Sequence, residues 1–239
     1  LLVNTAGTTT FNGLVGNADR LSTLTTDAGG STVINTSSIR TVTDQTYDDA
    51  VKLDSNTTLD SSANGNITFN STLDSVASET NLLLVNTAGT TTFNGLVGNT
   101  DRLSTLTTNA GGSTVINASS IKTVTSQTFN DAVKLDTDTT LDSSSSGNIT
   151  FNSTLDSVSG ETNSLLVSTS GSTTFNDLVG SNDRLSTLTT DAGGSTIINT
   201  TSIKTVTDQT YNDAVKLDTN TTLDSSTSGN VTFNSTLDS

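Results

Sequence analysis

Short β-prone runs and polar corners alternate along the whole chain. Residues 21–35, LSTLTTDAGGSTVIN, contain one run ending at Thr26, a corner at Gly29-Gly30 and a second run ending at Ile34. Thr, Val and Ile favour the extended, half-buried conformation, whereas paired glycines mark a sharp bend. Within these runs, alternate positions share the same character with a period of two, and sustained helical periodicity is absent. The pattern predicts many short strands joined by polar turns.

The strand pattern itself recurs every 82 residues. The segment that begins at Leu21 returns at Leu103 and Leu185, and residues 1–82 and 83–164 differ at only 14 positions. We therefore divide the chain into repeat unit 1 (1–82), unit 2 (83–164) and an incomplete unit 3 (165–239), and we expect one continuous rod. Such closeness indicates recent duplication, so selection is expected to act on length rather than on one unique site.

Each unit contains four shorter segments that share an apolar run, a Gly or Asn corner and a Thr-rich run ending in an aromatic residue or Ile. Segments of about twenty residues are typical of solenoids. We predict an all-β fold, a right-handed parallel β-helix of about twelve coils with roughly twenty residues each, stacked about 4.8 Å apart. The seven Phe and two Tyr residues would belong to the internal ladder, and Ile34 would take the aromatic position in the remaining coil.

Composition explains why such a core must be narrow. Only 30% of the residues are apolar and the net charge is −15, values typical of disorder, but proline is absent and the apolar positions keep their register. The chain also lacks Cys and His, which removes disulfides, thiolate nucleophiles and imidazole bases or ligands. Its acidic balance argues against nucleic acid and against adsorption to anionic lipid. No apolar run is long enough to cross a bilayer, so we expect no membrane insertion.

The acidic clusters have a structural interpretation as turns. Asp48 and Asp49, near Asp44, would need a cleft to act as acid and base, and we interpret them as a solvated turn, with a weak calcium site as the alternative. The corner that starts at Asp27 lacks the spacing of a G-G-x-G-x-D calcium loop, so a structural turn is again preferred. We assign no catalytic residue, no cofactor and no metal ligand. The chain is predicted not to be an enzyme, since pectate-lyase-like chemistry would need a groove with clustered carboxylates and a basic residue.

Threonines and asparagines raise two further alternatives. Outward threonines resemble the Thr-x-Thr ranks of ice-binding solenoids, but the motif is interrupted in two coils of each unit, and β propensity explains the enrichment better. The threonines considered for such a rank are Thr23, Thr25, Thr41 and Thr43. Asn-x-Ser/Thr triplets at Asn66 and Asn70 could carry sugar, although the composition alone makes such triplets common.

The basic residues are sparse and repeat with the units. Positions 20, 40 and 52 carry a basic residue in every unit, and we expect copies to lie four coils apart, about 19 Å, which exceeds the Debye length of about 8 Å. Whether Arg20 and Arg40 stack in neighbouring coils is left open by the sequence. The nine basic residues are Arg20, Arg40, Lys52, Arg102, Lys122, Lys134, Arg184, Lys204 and Lys216.

The motifs LTTDAGGSTVIN, QTYDDAVKL and GNITFNSTL resemble the β-strand repeats of very large bacterial surface exoproteins, the filamentous-haemagglutinin-like and autotransporter-type adhesins. The resemblance covers the whole chain and implies an exported β-solenoid stalk acting in adhesion, biofilm matrix or filament formation. It carries over no catalytic residue.

The hypothesis from the sequence is a structural stalk or filament segment of an extracellular, cell-surface adhesin or matrix protein. Its expected partners are flanking solenoid repeats or identical subunits joined end to end, together with surface or matrix components. The alternative is a binding module whose solenoid face recognises glycan, ice or calcium. Because the chain starts and stops inside repeats, we expect it to belong to a longer protein.

Overall fold

The computed structural model describes residues 1–239 and consists of thirty strands of two to five residues, with no helix. Every strand pair is parallel, and paired strands belong to successive turns of the chain. The chain winds through about 11 turns of about 22 residues each. The predicted parallel β-helix is confirmed, with turns that are slightly fewer and longer than expected.

Three parallel sheets run along the rod, and we call them faces 1, 2 and 3; strands are numbered β1 to β30 along the chain. Single bridges continue face 1 through Val179 and face 2 through Val97, and face 3 starts at Val15. Face 1 contains β1 (Leu2–Val3), β3 (Leu24–Thr26), β6 (Gln45–Tyr47), β9 (Ile67–Phe69), β12 (Thr90–Phe93), β14 (Ser113–Ile116), β17 (Ala132–Leu135), β20 (Leu155–Ser157), β25 (Ser202–Thr205) and β28 (Thr222–Ser225). Face 2 contains β2 (Thr8–Phe11), β4 (Ser31–Ile34), β7 (Ala50–Leu53), β10 (Leu73–Ser75), β15 (Ser120–Thr123), β18 (Thr139–Ser143), β21 (Leu165–Thr169), β23 (Leu188–Thr190), β26 (Gln209–Tyr211) and β29 (Val231–Phe233). Face 3 contains β5 (Ser38–Thr41), β8 (Thr57–Ser61), β11 (Leu83–Asn86), β13 (Leu106–Thr108), β16 (Gln127–Phe129), β19 (Ile149–Phe151), β22 (Ser172–Phe175), β24 (Ser195–Ile198), β27 (Ala214–Leu217) and β30 (Leu237–Asp238).

The sequence repeat and the structural turn are out of step. An 82-residue unit wound at about 22 residues per turn makes about three and two-thirds turns, rather than the four that we expected. Equivalent strands therefore lie on different faces: Leu24 is on face 1, Leu106 on face 3 and Leu188 on face 2. The copies of each charge are consequently separated around the rod as well as along it.

The core is one column of inward side chains. Alternate residues of each strand point inward, so Leu24 and Thr26 of β3 are fully buried while Thr25 between them is partly exposed. Because parallel strands stack in register, like side chains lie above one another. A chain with few apolar residues can thus form a continuous dry interior, since each turn contributes only a few of them.

The aromatic side chains stack along this column. Tyr47, Phe69 and Phe93 form one stack on face 1, with ring centroids 5.2 and 5.5 Å apart. Ile116 follows Phe93 in register, and Ile34 likewise follows Phe11, which confirms that Ile takes the aromatic position in the remaining turn. Two further stacks are Phe129–Phe151–Phe175 on face 3 and Tyr211–Phe233 on face 2. Phe11 and Phe233 are only partly buried, because no turn covers them.

Glycines mark the corners where one turn approaches the next most closely. A Cβ at Gly30 would lie 2.0 Å from the carbonyl oxygen of Gly7 in the preceding turn. Gly98 has φ +64°, and its Cβ would lie 2.0 Å from the carbonyl oxygen of Lys122 in the following turn. Any larger residue at either place would separate the turns.

Candidate functional site

A half-buried arginine ties three successive turns together in every unit. The guanidinium of Arg20 donates hydrogen bonds to the backbone oxygen of Thr41 at 3.0 Å and to that of Asp60 at 3.1 Å, and it forms an ion pair with the Asp60 carboxylate. These residues lie 21 and 40 positions further along the chain, one and two turns away. We call this arrangement the arginine clamp. Its other copies are Arg102–Thr123–Asp142 and Arg184–Thr205–Asp224.

Arg40 also reaches Asp60, with 3.5 Å between Nε and the carboxylate. The structure therefore answers the open question about Arg20 and Arg40: they meet at a shared carboxylate in neighbouring turns. In unit 2 the Arg40 position is Lys122, which donates a hydrogen bond to Asn99 instead. The clamp made by Arg20 is thus the invariant part of the cluster, and the second cation varies.

A buried glutamine lies inside each clamp. Gln45 is fully buried, and its Nε2 donates hydrogen bonds to the Ile39 oxygen, to Thr41 Oγ1 and to the Asp60 oxygen at 3.2–3.3 Å. Its Oε1 accepts a hydrogen bond from the Tyr47 hydroxyl at 3.0 Å. Burial raises the pKa of the Tyr47 phenol, so the hydroxyl stays a donor throughout the physiological range.

Unit 2 lacks this hydroxyl because Phe129 replaces the tyrosine. Gln127 keeps the same three acceptors for its amide nitrogen. Its Oε1 is buried and has no hydrogen-bond partner. The middle unit therefore contains an unsatisfied buried acceptor that units 1 and 3 do not, since Tyr211 donates to Gln209 at 3.1 Å in unit 3.

A buried carboxylate lies at the next corner. Asp49 is only 3% exposed and accepts hydrogen bonds at 2.9 Å from the hydroxyls of Thr26 and Thr32. The prediction that Asp48 and Asp49 form a solvated turn is therefore wrong for Asp49, because alternation sends it inward beside buried threonines. Asp131 and Asp213 hold the equivalent positions with equivalent threonine donors.

Burial raises the pKa of the carboxyls of Asp131 and Asp213, and the threonine hydroxyls oppose that effect in part. The two hydroxyl donors satisfy part of the hydrogen-bonding capacity of each carboxylate, but they supply no positive charge to compensate its negative one. The arrangement is suited to hold a corner in place. The structure contains no group of three or more Asp, Glu, His or Cys side chains placed to hold a metal ion.

The other acidic residues considered in the sequence cap neighbouring turns. Asp44 accepts a hydrogen bond from the backbone nitrogen of Asn66, and Asp48 accepts one from the Asn70 side chain. At the Asp27 position of unit 3, Asp191 accepts a hydrogen bond from the backbone nitrogen of Thr169 at 3.0 Å. The structure places these carboxylates along the corners and does not bring Asp44, Asp48 and Asp49 together as one site.

Exposed asparagines form ladders beside the aromatic stacks. The residue after each stacked ring or its Ile equivalent is Asn in most turns, and its side-chain amide donates to the Asn of the preceding turn. Asn94 donates to Asn70 at 2.7 Å, and Asn176 donates to Asn152 at 2.8 Å. Asn70, one of the two asparagines considered as a sugar acceptor, is therefore part of a ladder, while Asn66 is exposed and caps Thr90.

Outward threonines form a single row on each face. On face 1, Thr25, Thr46, Thr68 and Thr92 lie in register on four successive turns. The row begins beside Leu2 and ends beside Val115, and it is one residue wide. A two-row Thr-x-Thr surface is therefore not formed on these turns.

Of the other threonines predicted to face outward, Thr23 and Thr43 are partly exposed, whereas the prediction is wrong for Thr41. Thr41 is fully buried and donates a hydrogen bond to the Thr43 oxygen, because it belongs to the inward series of β5.

The surface has only shallow concavities. One depression of about 290 Å³ lies on face 2 across three successive turns, with Leu165 and Leu166 as its apolar residues and Asp138 and Thr189 among its polar ones. Leu166 is 37% exposed there. The depression is the place where the alternative of a ligand-binding face would have to be tested first.

The clamp and the buried glutamine were not found from the sequence. Arg20 and Asp60 are 40 residues apart, so no local motif connects them. The signal that could have found them is the conserved spacing in all three units, combined with a turn of about 22 residues rather than twenty. The asparagine ladder was also not found from the sequence, and the signal that could have found it is the repeated aromatic-Asn dipeptide.

Comparison with known proteins gives no relative for this chain. No protein-family model, no curated protein and no solved structure matches it. The structure also contains no helix long and apolar enough to cross a membrane.

Proposed function

We propose that this chain is a non-catalytic structural spacer, a stalk or filament segment of a bacterial surface or matrix protein. Its mechanism is mechanical: stacked turns, bonded through their backbones, hold whatever lies beyond them at a fixed distance. By the resemblance of its strand motifs to adhesin repeats, the proposed location is extracellular. The proposed partners are flanking repeats or identical subunits, with surface or matrix components at a distance.

Continuity across the unit boundaries is the observation that carries this proposal. At the boundary between units 1 and 2, Leu83 pairs with Thr57 and Phe93 pairs with Phe69, in the same parallel register as elsewhere. The stack Tyr47–Phe69–Phe93 crosses that boundary without a change in ring spacing. A chain of separate binding domains would have hinges between its units, whereas this one continues the same core through them.

The arginine clamps support the same conclusion. Each guanidinium contacts the two following turns, so the three turns that it joins cannot separate without breaking a charge-assisted contact as well as their backbone bonds. Because the clamp lies inside the unit, every added unit brings its own. The bending stiffness per unit length should therefore stay the same as units are added.

Imaging of rods of different length tests the proposal. The 239-residue chain should measure about 53 Å, from about 11 turns at about 4.8 Å, and a six-unit chain should be about twice as long with its ends separated by nearly the full contour length. A six-unit chain with a flexible Gly-Ser segment between units 3 and 4 is the matched control and should bend there. Bends at the ordinary unit boundaries would overturn the proposal.

The competing function is a binding module, and a second arm of the experiment addresses it. The 239-residue rod is applied to a glycan array, titrated with calcium and assayed for thermal hysteresis. Saturable binding in any of these, lost on substitution of Leu166 in the face 2 depression or of Thr68 in the face 1 row, would favour the module over the spacer.

A further inference from the structure

Three columns of outward side chains run along face 3 in the middle of the rod. The strand β16 contributes Ser126, Thr128 and Asn130 to these columns, and the strands of the neighbouring turns place their equivalent residues in register with them. Neighbouring rows are about 4.8 Å apart along the rod, and neighbouring columns are about 6.6 Å apart across it. Face 3 therefore presents a regular grid of side chains in this region.

This grid carries no charge over six successive strands, from β11 to β24. It begins after Asp60, which is in register with Asn86, and it ends before Lys216, which is in register with Ile197. Asp177, at the corner that follows Asn176, lies at its rim. We call this region the neutral strip. It consists of the residues in its middle column, together with the residues two positions before and after each of them. The middle column is Leu84, Thr107, Thr128, Thr150, Thr174 and Ile197.

The substitutions between units 1 and 2 account for much of this neutrality. Unit 2 lacks three carboxylates that unit 1 carries, and all three replacements lie in the neutral strip. The one carboxylate that unit 2 gains, Asp138 in place of Asn56, lies beside β18 on face 2. Charge is thus removed from one face of the rod and not from the unit as a whole. The replacements are Asp27 by Asn109, Asp44 by Ser126 and Asp48 by Asn130.

The other two faces keep carboxylates at the equivalent places. On face 1, the residues that precede and follow the short strands β3 and β6 include Asp27, Asp44 and Asp48. On face 2, Asp191 and Asp208 hold two of the three corresponding positions. In a chain with a net charge of −15, face 3 is therefore distinguished by its charge, although its threonine and asparagine columns resemble those of face 1.

The neutral strip has hydrogen-bonding groups to spare. The threonines of its middle column point outward, and their hydroxyls make no hydrogen bond within the protein. Along the asparagine column, Asn152 donates to Asn130 at 2.7 Å and Asn176 donates to Asn152 at 2.8 Å. An amide group has two N–H donors and two acceptor lone pairs, so each of these asparagines keeps a free donor and a free acceptor. The strip can therefore form a row of hydrogen bonds to a partner that lies along it.

The absence of charge indicates a neutral partner. A contact that excludes water would desolvate any carboxylate on the face, which is costly unless a cation pairs with it. An anionic partner would be repelled by the net charge of −15, and a cationic one would be attracted to the carboxylates of faces 1 and 2. A neutral partner rich in hydroxyl and amide groups matches the free donors and acceptors of the strip.

The dimensions of the strip favour a polymer over a second copy of this chain. Six rows and three columns span about 24 Å by 13 Å, or about 300 Å² on one partner. A standard protein interface buries about 800 Å² on each partner, so two strips packed face to face would cover too little area for a stable dimer. A sugar chain needs only a narrow track, and it repeats the same hydroxyl groups ring after ring. Each additional row can then add to the binding of the same chain.

We propose that the neutral strip of face 3 binds an extended, uncharged polysaccharide that lies along the rod axis. The threonine hydroxyls and asparagine amides exchange hydrogen bonds with the hydroxyl and amide groups of successive sugars. This inference goes beyond the spacer, because it gives the side of the rod a lateral attachment to a matrix polymer. It also places binding on a different face from the Leu166 depression and the Thr68 row.

Exchanging the charge pattern between faces tests the inference without introducing residues that are foreign to the repeat. A face 3 variant receives the three carboxylates of unit 1, and a face 1 variant receives the three neutral residues of unit 2. Both variants should fold, since each contains only residues that another unit already carries at that place. A variant with all six changes keeps the net charge of −15 and moves the neutral strip to face 1. The face 3 changes are Asn109→Asp, Ser126→Asp and Asn130→Asp, and the face 1 changes are Asp27→Asn, Asp44→Ser and Asp48→Asn.

Depletion binding of the purified 239-residue chain to cellulose and chitin particles supplies the readout, with anionic alginate gel as the control polymer. The unaltered chain should bind at least one of the neutral polysaccharides saturably, in low and high salt alike, and should not bind alginate. The face 3 variant should bind about tenfold more weakly or worse. The six-substitution variant should bind as well as the unaltered chain, because the arrangement of charge matters and its total does not.

A pair of hydroxyl deletions provides a second test that leaves charge unchanged. Thr128→Val combined with Thr150→Val removes two hydroxyls from the neutral strip and keeps β-branched side chains in the strands. Binding should fall about fivefold or more. Thr46→Val combined with Thr68→Val makes the same change on face 1 and should leave binding unaltered. Circular dichroism and the thermal midpoint show whether each variant is folded, and a failure of the charge variants leaves the valine variants as the test.

Three results would overturn the inference. They are an absence of saturable binding to both neutral polysaccharides, equal binding by the unaltered chain and the face 3 variant, and equal losses from the two valine pairs. Thermal hysteresis or self-association that the face 3 changes abolish, without polysaccharide binding, would assign the strip to ice or to a second copy instead. None of these outcomes bears on the spacer, which depends on the length and straightness of the rod. Bent six-unit rods that still bound polysaccharide through face 3 would refute the spacer alone.

Discussion

Phe129→Tyr would supply the hydroxyl that the middle unit lacks. Gln127 Oε1 is buried without a partner, while the same atom in Gln45 accepts a hydrogen bond from Tyr47 at 3.0 Å. The ring of Phe129 occupies the position of the Tyr47 ring, with a similar stack: centroid spacings to the next ring are 5.4 and 5.2 Å. A hydroxyl at Phe129 would thus lie within hydrogen-bond reach of the orphan oxygen.

The expected gain follows from the cost of an unsatisfied buried acceptor. A typical buried hydrogen bond contributes about 0.5–1.5 kcal/mol net, and leaving one member unpaired costs about 1–3 kcal/mol. Phe129→Tyr should therefore raise the free energy of unfolding by about 1–2 kcal/mol, and Tyr47→Phe should lower it by a similar amount. For a chain of this size, the thermal midpoint would shift by about 2–8 °C.

The matched control is Phe151→Tyr, the same chemical change one turn further along the same stack. In register with Gln127, that turn has Ile149, which offers no side-chain acceptor. The new hydroxyl should therefore destabilise the rod, so two identical substitutions in neighbouring turns should have opposite signs. Urea denaturation gives the free energy, and hydrogen exchange at β16 and β19 shows whether the effect is local, since a solenoid need not unfold in a single step. Equal signs for the two variants, or a neutral Tyr47→Phe, would refute the reasoning.

Three other predictions concern the core, a corner and the buried carboxylates. Phe69→Ala should leave a cavity inside its stack and cost about 3–5 kcal/mol, measured by a thermal melt; no change would contradict the inward assignment. Gly98→Ala should lower the free energy of unfolding by more than about 1 kcal/mol, because Gly98 has φ +64° and a Cβ there would meet a carbonyl oxygen of the next turn. Gly13→Ala is the control and should be nearly neutral, because Gly13 has open space around it. Equal effects of the two variants would show that the turns can separate. The pKa of Asp131 is raised in the folded chain, so the folded state binds the proton more tightly, and the stability that this contributes is lost as pH rises through the folded pKa. In denaturation experiments, the free energy of unfolding of Asp131→Asn relative to the unaltered chain should therefore increase from pH 4 to pH 7. A constant difference would contradict this.

Much of the fold could be predicted because the regular spacing of strands and corners can be seen in the repeated sequence. Thr-rich runs, Gly-Gly corners and the absence of helical period led to parallel stacking, and the position of Phe69 and Ile34 in the core followed from it. The number of residues per turn could not be fixed in the same way. Corners such as residues 16–23 and 76–82 differ in length, and only the strand register shows that Leu24 and Leu106 lie on different faces.

The internal polar groups were harder to predict for a related reason. Asp49 and Thr41 are polar residues in a Thr- and Asp-rich sequence, so their composition gave no indication that they are buried. Their orientation depends on the phase of a strand only three or four residues long, where a shift of one position reverses every side chain. The arginine clamp depends on contacts two turns apart, which no short motif records.

The mismatch between the 82-residue unit and the turn determines the direction in which the rod aims whatever is joined to it. Gaining or losing one unit by recombination changes the height by about 18 Å and swings the far end by a third of a circle. Only a change of three units alters reach while restoring the original heading. A cargo with one active side would therefore be sensitive to copy number modulo three, whereas a cargo that works in any orientation would tolerate every length.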